Sequence, residues 1–183
     1  MIKNKFMELV DRVDINDNII GQTTKEEAHE NAYIHRVSAV FCFEPEGKLL
    51  VQHRKKDGLF DHSVGGHVGL GESYEAAAER EMKEELGIVK DLKKVGTFYG
   101  NETAPRNPTI DHFFGLFEAD LTVEDVKNIT IEPKEVEKII PMKLEEIVSD
   151  MNQNPEKYTF GFMRTINFYI EKNKLPIPLV KVR

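Results

Sequence analysis

The stretch Gly66–Ile88, GHVGLGESYEAAAEREMKEELGI, constrains the fold more than any other part of this chain. Ser73 is placed as an N-cap and Gly87 as a C-cap, so the spacing predicts a helix from about Ser73 to Leu86. On a wheel of about 100° per residue with Ala78 at zero, Met82 falls at about +40° and Leu86 at about +80°, which defines a buried stripe. Glu85 then falls at about −20°, Glu81 at about −60° and Glu84 at about −120°. The acids therefore begin inside the stripe and run outward, while Arg80 and Lys83 lie on the opposite side. A carboxylate at a core edge is costly unless it is paired or bound to a cation. Several hard oxygens converging there suit Mg²⁺, whose shell is completed by water and substrate phosphates. The same wheel also describes a charged amphipathic helix rich in glutamate, and geometry alone does not choose between the two.

The whole chain sets the frame. Its 183 residues are close to the size of one ordinary domain, and no repeat, low-complexity tract or linker divides them. A formal charge of −7 argues against non-specific binding to nucleic acid or to anionic membrane. It leaves room for a small anionic substrate, because a bound cation reverses the local charge. Cys42 is the only cysteine, so no intrachain disulfide forms and a reducing, cytoplasmic setting is expected. The opening segment is too polar for a signal peptide, and no apolar run reaches membrane-spanning length.

Along the chain, MELVDRVD and IIGQTT read as a hairpin turning at Asn16–Asn18, followed by a short helix through KEEAHEN capped by Thr23 or Thr24. RVSAVFCF and LLVQHR read as paired strands and HSVGG as a short extended piece. LKKVGTFYG and IDHFFGLFEAD read as two more strands joined by an exposed loop, NETAPRNPT. EVEKIIPM reads as a strand, KLEEIVSDMN as a helix, and TFGFMRTINFYIEKN as a closing helix. Phe113, Phe114 and Phe117 read as core. Such a mixture points to an α/β chain with a mixed sheet covered by helices.

Gly66, then Glu72 after five residues, then REMKEELGI after seven more, matches the Nudix box at all of its nine fixed positions. The chain is thus identified as a member of the Nudix superfamily, most clearly over roughly residues 37–88. The resemblance implies an α/β/α sandwich with a mixed sheet, preceded here by an N-terminal extension of about residues 1–34. It implies a single Nudix domain over residues 1–183. It also implies hydrolysis of a diphosphate linked to another moiety, such as a nucleoside diphosphate derivative, by water attack at phosphorus. Residues matching Glu81, Glu84 and Glu85 would hold Mg²⁺ or Mn²⁺, with the Gly66 carbonyl as a further ligand. Glu72 and Arg80 would support the loop and helix through an ion pair. Arg54 and Tyr99 are candidate substrate contacts, and His53 lies beside the first of them.

A narrower resemblance follows. HSVGGHVGLGES is similar to the active-site segment of isopentenyl-diphosphate isomerases, in which residues matching His29, His35 and His67 bring three imidazoles to a metal. A carboxylate pair joins them there; in this chain Asp111 supplies one member and the other falls on Thr109. Three histidines and a carboxylate would suit a transition metal such as Zn²⁺ or Mn²⁺. Each histidine also fits an ordinary role: His29 on a helix surface, His35 at a strand start, His67 lining a loop. His112 is expected to face outward. Gly65 stands where the isomerase has its catalytic cysteine, and allylic isomerisation needs a proton donor and acceptor that glycine cannot be. Cys42, within a strand, reads as a small buried thiol. The expectation is therefore a hydrolase on an isomerase-like scaffold, monomeric or homodimeric, with an isomerase or a non-catalytic diphosphate sensor as the alternatives.

Overall fold

The computed structural model describes residues 8–104 and 107–182, and the side chains among these outside 101–110. One nine-stranded mixed sheet with five α-helices makes up the described residues. Its centre is β3 (His35–Phe43). Along one edge β3 runs parallel to β8 (Asn107–Asp120) over its whole length, from His35↔His112 to Phe43↔Asp120. Along its other edge it meets β1 (Leu9–Val13), β6 (Val64–His67) and β4 (Leu49–Arg54) in turn. Beyond β1 lies β2 (Ile19–Thr24), beyond β4 lies β9 (Val136–Met142), β5 (Phe60–Asp61) pairs along the edge of β4 that faces β3, and β7 (Lys93–Ala104) pairs antiparallel with β8.

The central strands are apolar at nearly every position because both faces are covered. Ala39 and Phe41 of β3, with Leu49 and Val51 of β4, pack under α4 (Leu144–Gln153) and α5 (Phe160–Lys172). Val40, Cys42 and Leu50 face the other way, onto Ala78, Met82 and Leu86 of α2 (Tyr74–Leu86). Helix, sheet and helix form the α/β/α sandwich. Phe114 and Phe117 fall on opposite faces of β8 by the same alternation, each nearly buried.

The N-terminal hairpin and helix are joined to the sheet. β1 bridges β3 at Arg12↔His35, and Val10 bridges Gly69. Met7, read as the first strand residue, lies outside the described residues. Thr24 caps α1 (Lys25–Glu30) through a capping box with Glu27. Two expectations differ from the structure. NETAPRNPT is largely strand, because β7 and β8 stay paired toward their tip, through a register shift between Glu102 and Ala104, to Ala104↔Asn107. Cross-strand rings, Phe98 on Phe114 and Tyr99 on Phe113, carry that long ribbon. A further helix, α3 (Val123–Asn128), follows β8, capped by Thr122 with Asp125 at its third position. That threonine–aspartate spacing is the signal for it.

Candidate active site and metal centre

α2 begins where Ser73 accepts a hydrogen bond from the Ala76 amide, and it ends at Gly87, whose φ of 69° is left-handed. Of the acids on its wheel, Glu81 and Glu85 are 8% and 4% exposed, whereas the Glu84 side chain is 59% exposed. The arc runs from core to solvent, as the wheel orders it.

Gly66 explains how Glu81 fits. A Cβ on Gly66 would lie 2.0 Å from Glu81 Oε1 and 2.2 Å from its Cδ, so β6 admits this carboxylate only through a missing side chain. Arg80 binds the loop and the helix together. Its Nε and Nη2 grip Glu72 Oε1 and Oε2 at 3.0 and 2.9 Å, and Nη2 also donates to the His67 carbonyl at 3.0 Å. Glu72 in turn accepts from the Gly69 amide at 2.8 Å. Arg80 Nη1 meanwhile lies 2.7 Å from Glu81 and 3.4 Å from Glu84. Glu85 faces inward and accepts from Gln52 Nε2 at 2.9 Å and from the Gly65 amide at 3.3 Å. Burial, and then the charge of Glu81, push the Glu85 carboxyl up to about 8; burial also raises Glu81. The three acids thus neighbour one another on one helix face, with Arg80 engaging two of them.

On the other face of β6 stands a second cluster. His29 from α1, His35 from β3, His67 from β6 and His112 from β8 bring one ring nitrogen each within 4.8 Å of all the others. His29 and His67 approach to 2.9 Å through Nε2, and His35 and His112 to 3.0 Å. His35 Nδ1 lies 2.7 Å from the Tyr33 carbonyl, which fixes Nδ1 as the protonated nitrogen and leaves Nε2 a lone pair aimed into the group. Burial lowers all four imidazoles, His35 to about 4 and His67 and His112 well below the ordinary value. At neutral pH they are uncharged, the form that ligates metals.

Two expectations are corrected here. His112 does not face outward; it is 8% exposed and belongs to the group. Asp111, expected as the carboxylate partner, precedes it on the strand and so faces the opposite way. Thr109 lies where side chains are not described. Arg54, expected at substrate phosphate, is engaged by Asp57 and Asp61, each at 2.8 Å, and His53 pairs with Glu137 at 2.7 Å. Tyr99 is half-buried against Phe113 and lines a cleft with Phe98, Arg164 and Phe168.

A polar chain not anticipated from sequence lies under Gly65. Asp61 Oδ1 meets His62 Nδ1 at 2.6 Å, and His62 Nε2 meets Thr165 Oγ1 of α5 at 2.7 Å. Burial would raise Asp61, but His62, Arg54 and Thr159 hold its carboxyl well below the usual range. Gly65 itself leaves room above this chain, since a Cβ there would meet His62 Nδ1 at an ordinary 3.5 Å. Cys42 offers no substitute for the missing cysteine. It is fully buried on the α2 face of β3, and burial pushes its thiol up to about 12.

The NUDIX domain family matches residues 33–161. The chain belongs to the Nudix superfamily. An isopentenyl-diphosphate Delta-isomerase from Photorhabdus laumondii is 32% identical over 165 residues, which span 87% of this chain and 91% of the relative. Within the superfamily this Nudix protein therefore sits in the isomerase-like subgroup. A prenyl-diphosphate phosphatase from Methanosarcina mazei is 29% identical over 159 residues, covering 82% of this chain and 88% of its own length. A crystal structure from Deinococcus radiodurans superposes with a TM-score of 0.71 at 22% identity, over 87% of this chain and 97% of the other, and shares the fold. With its box complete, this Nudix protein is an enzyme of the pyrophosphohydrolase class. Among the described residues no helix is long and apolar enough to cross a membrane.

Proposed function

We propose that this Nudix protein hydrolyses a diphosphate linkage in a metal-dependent reaction, acting on a nucleoside diphosphate derivative or another X-linked diphosphate. Water attacks one phosphorus, the bridging P–O bond breaks, and the two phosphate-bearing products leave. The observation that carries this reading is an intact acid set on α2 beside a glycine, Gly65, where isomerisation would need an ionisable side chain.

The donor set fits a hard divalent cation, Mg²⁺ or Mn²⁺. Glu81, Glu84 and Glu85 supply carboxylate oxygens on one helix face, and Glu85 is buried against two neutral amide donors, the Gln52 side chain and the Gly65 backbone. Held there with the Gly66 carbonyl, such an ion would offset charge on the phosphate oxygens and lower the pKa of the attacking water. Glu81 and Glu84 must turn from Arg80 to join it. Arg80 and Glu72 position the loop against the helix, and Gly66 makes the space. The acidic surface and the single cysteine support a cytoplasmic enzyme of small molecules, monomeric or homodimeric, with no nucleic-acid or membrane partner.

Prenyl diphosphates head the substrate panel, because the Methanosarcina mazei relative is named for them and the isomerase-like scaffold is shared. The test is phosphate release from prenyl diphosphates, nucleoside triphosphates, nucleotide sugars, ADP-ribose and coenzyme A, with Mg²⁺ or Mn²⁺. Turnover abolished by Glu85→Gln supports the proposal. Binding without turnover across the panel favours a sensor, and double-bond migration in isopentenyl diphosphate without phosphate release favours an isomerase.

A further inference from the structure

The N-terminal hairpin of β1 and β2 lies outside residues 33–161, over which the domain family matches, yet its contacts converge on the segment that carries the acids. We infer, resting on the hydrolysis reading, that Asp11 and Asp17 of this hairpin are positioning residues for the reaction. They hold the loop before α2 and the first turn of α2, and through Glu72 and Arg80 they set where the carboxylates stand.

Gly69, Leu70 and Gly71 lead from β6 to Glu72, and β1 runs beside them. Val10 bridges Gly69, the Leu70 amide donates to the Leu9 carbonyl at 3.0 Å, and the Gly71 amide donates to Asp11 Oδ2 at 2.9 Å. Asp11 is 5% exposed, so its carboxylate meets that amide away from water, where a charge-assisted hydrogen bond is strongest. The Glu72 amide donates back to the Gly69 carbonyl at 3.0 Å, closing a turn in which Gly71 takes a left-handed φ of 71°. This one turn is held by Asp11 on one side and by the Glu72–Arg80 pair on the other.

The hairpin tip reaches the start of the helix itself. Asp14 accepts from the amides of Asn16 and Asn18 at 2.8 and 2.9 Å, which builds the turn that leaves Asp17 at a φ of 65°. Arg36 of β3 donates to Asp17 Oδ1 through Nε at 2.6 Å and to the Asp17 carbonyl through Nη2 at 2.5 Å. The hydroxyl of Tyr74, the first residue of α2, donates to Asp17 Oδ2 at 3.0 Å. Burial, and then the Asp17 carboxylate, push that hydroxyl up, which keeps it a donor. The Tyr74 ring fills the place where Gly115 of β8 lacks a side chain, since a Cβ there would lie 2.5 Å from it, and the Tyr74 carbonyl accepts from Ser38 Oγ at 2.6 Å. A hairpin that only covered the core would offer apolar residues; this one adds two carboxylates aimed at the box.

The experiment compares full-length wild type with Asp11→Ala, Asp11→Asn, Asp17→Gly and Ile20→Ser, the last an exposed position on β2. It reads amide exchange in the metal-free protein, and turnover of the best substrate in the panel across a Mg²⁺ titration. Asp11→Ala should raise exchange at Gly71 and in the first turn of α2 without raising it in α4. It should cut turnover at limiting Mg²⁺ by about 10-fold, the low end for a lost outer-shell partner, and by less at saturation. Asp11→Asn keeps an acceptor oxygen and should recover most of that loss. Asp17→Gly keeps the left-handed turn, removes the carboxylate, and should shift exchange and the Mg²⁺ dependence in the same direction. Ile20→Ser should match the wild type. Should Asp11→Ala fail to fold, Asp17→Gly decides. With the wild type active, a folded Asp11→Ala or Asp17→Gly that keeps wild-type exchange or wild-type Mg²⁺ dependence overturns the positioning role alone. A loss shared by Ile20→Ser does the same, because any change in the hairpin would then produce it. A wild type silent on every substrate sinks the hydrolysis reading and the positioning role with it.

Discussion

Adding one methyl group should cost much at Gly66 and little at Gly65, although the two glycines are neighbours on β6. At Gly66 the new Cβ would sit 2.0, 2.2 and 2.8 Å from Oε1, Cδ and Cγ of Glu81, far inside van der Waals contact. Neither glycine has a positive φ, so the effect is steric and not conformational. To yield, Glu81 would have to leave a place where it is 8% exposed and break its 2.7 Å contact with Arg80. Overpacking of this kind costs about 1–3 kcal/mol. For a chain of this size that lowers the melting temperature by roughly 2–4 °C per kcal/mol. Displacing a carboxylate from the reaction centre should cut kcat by about 10²–10³, the scale of losing one electrostatic group. At Gly65 the Cβ meets His62 Nδ1 at 3.5 Å, so Gly65→Ala should shift stability by no more than about 0.5 kcal/mol. Thermal melts of both variants, with turnover of Gly66→Ala on the best substrate across a Mg²⁺ titration, make the comparison. If Gly66→Ala melts and turns over like the wild type, the close approach of Glu81 to β6 is not what fixes the acid.

Glu85→Gln should abolish turnover yet stabilise the metal-free protein above neutral pH. The folded state holds the Glu85 proton to about 8 against an ordinary 4.5, so wild-type stability is full below 4.5 and falls as pH rises toward 8. The loss runs at up to about 1.4 kcal/mol per pH unit. Melts of chelated wild type and variant at pH 5 and pH 8 check this, and a variant no more stable at pH 8 refutes it. Thr165→Val removes the partner of buried His62 and should cost about 1–3 kcal/mol in denaturant unfolding; an unchanged midpoint would show the chain to be dispensable. Cys42, with its thiol pushed up to about 12, should resist a thiol reagent at pH 8 until the protein is unfolded. Fast labelling of the native protein would mean that this strand opens.

What the sequence disclosed, it disclosed through local spacing. α2 is legible because its caps, stripe and acids all follow from positions within one helix, and the buried-to-exposed order of Glu85, Glu81 and Glu84 emerges close to the wheel. The layering is legible for the same reason: β3 and β4 are apolar on both faces. His112 is not legible, because it reaches His35 across 77 residues through a parallel register that no local pattern encodes. The aspartate beside it completes the set that the isomerase resemblance implies, and strand alternation turns it away. The Asp61–His62–Thr165 chain is hidden likewise, since its last link spans 103 residues. The ion pairs of Arg54 are hidden for a different reason: a strand-end arginine reads as free until Asp57 and Asp61 are found on it.

Arg80 gives the acidic face an unusual resting condition. Before any ion arrives, two of its three carboxylates already have a positive partner. Under the proposed reaction, loading would be an exchange of one cation for another and not the filling of a vacant hole. Its equilibrium is a difference between two pairings, which makes it shallow for the ion alone. A diphosphate carrying its own magnesium would add phosphate ligands to one side of that exchange and tip it. On the proposed chemistry the guanidinium would be a placeholder that an ion arriving with its substrate displaces.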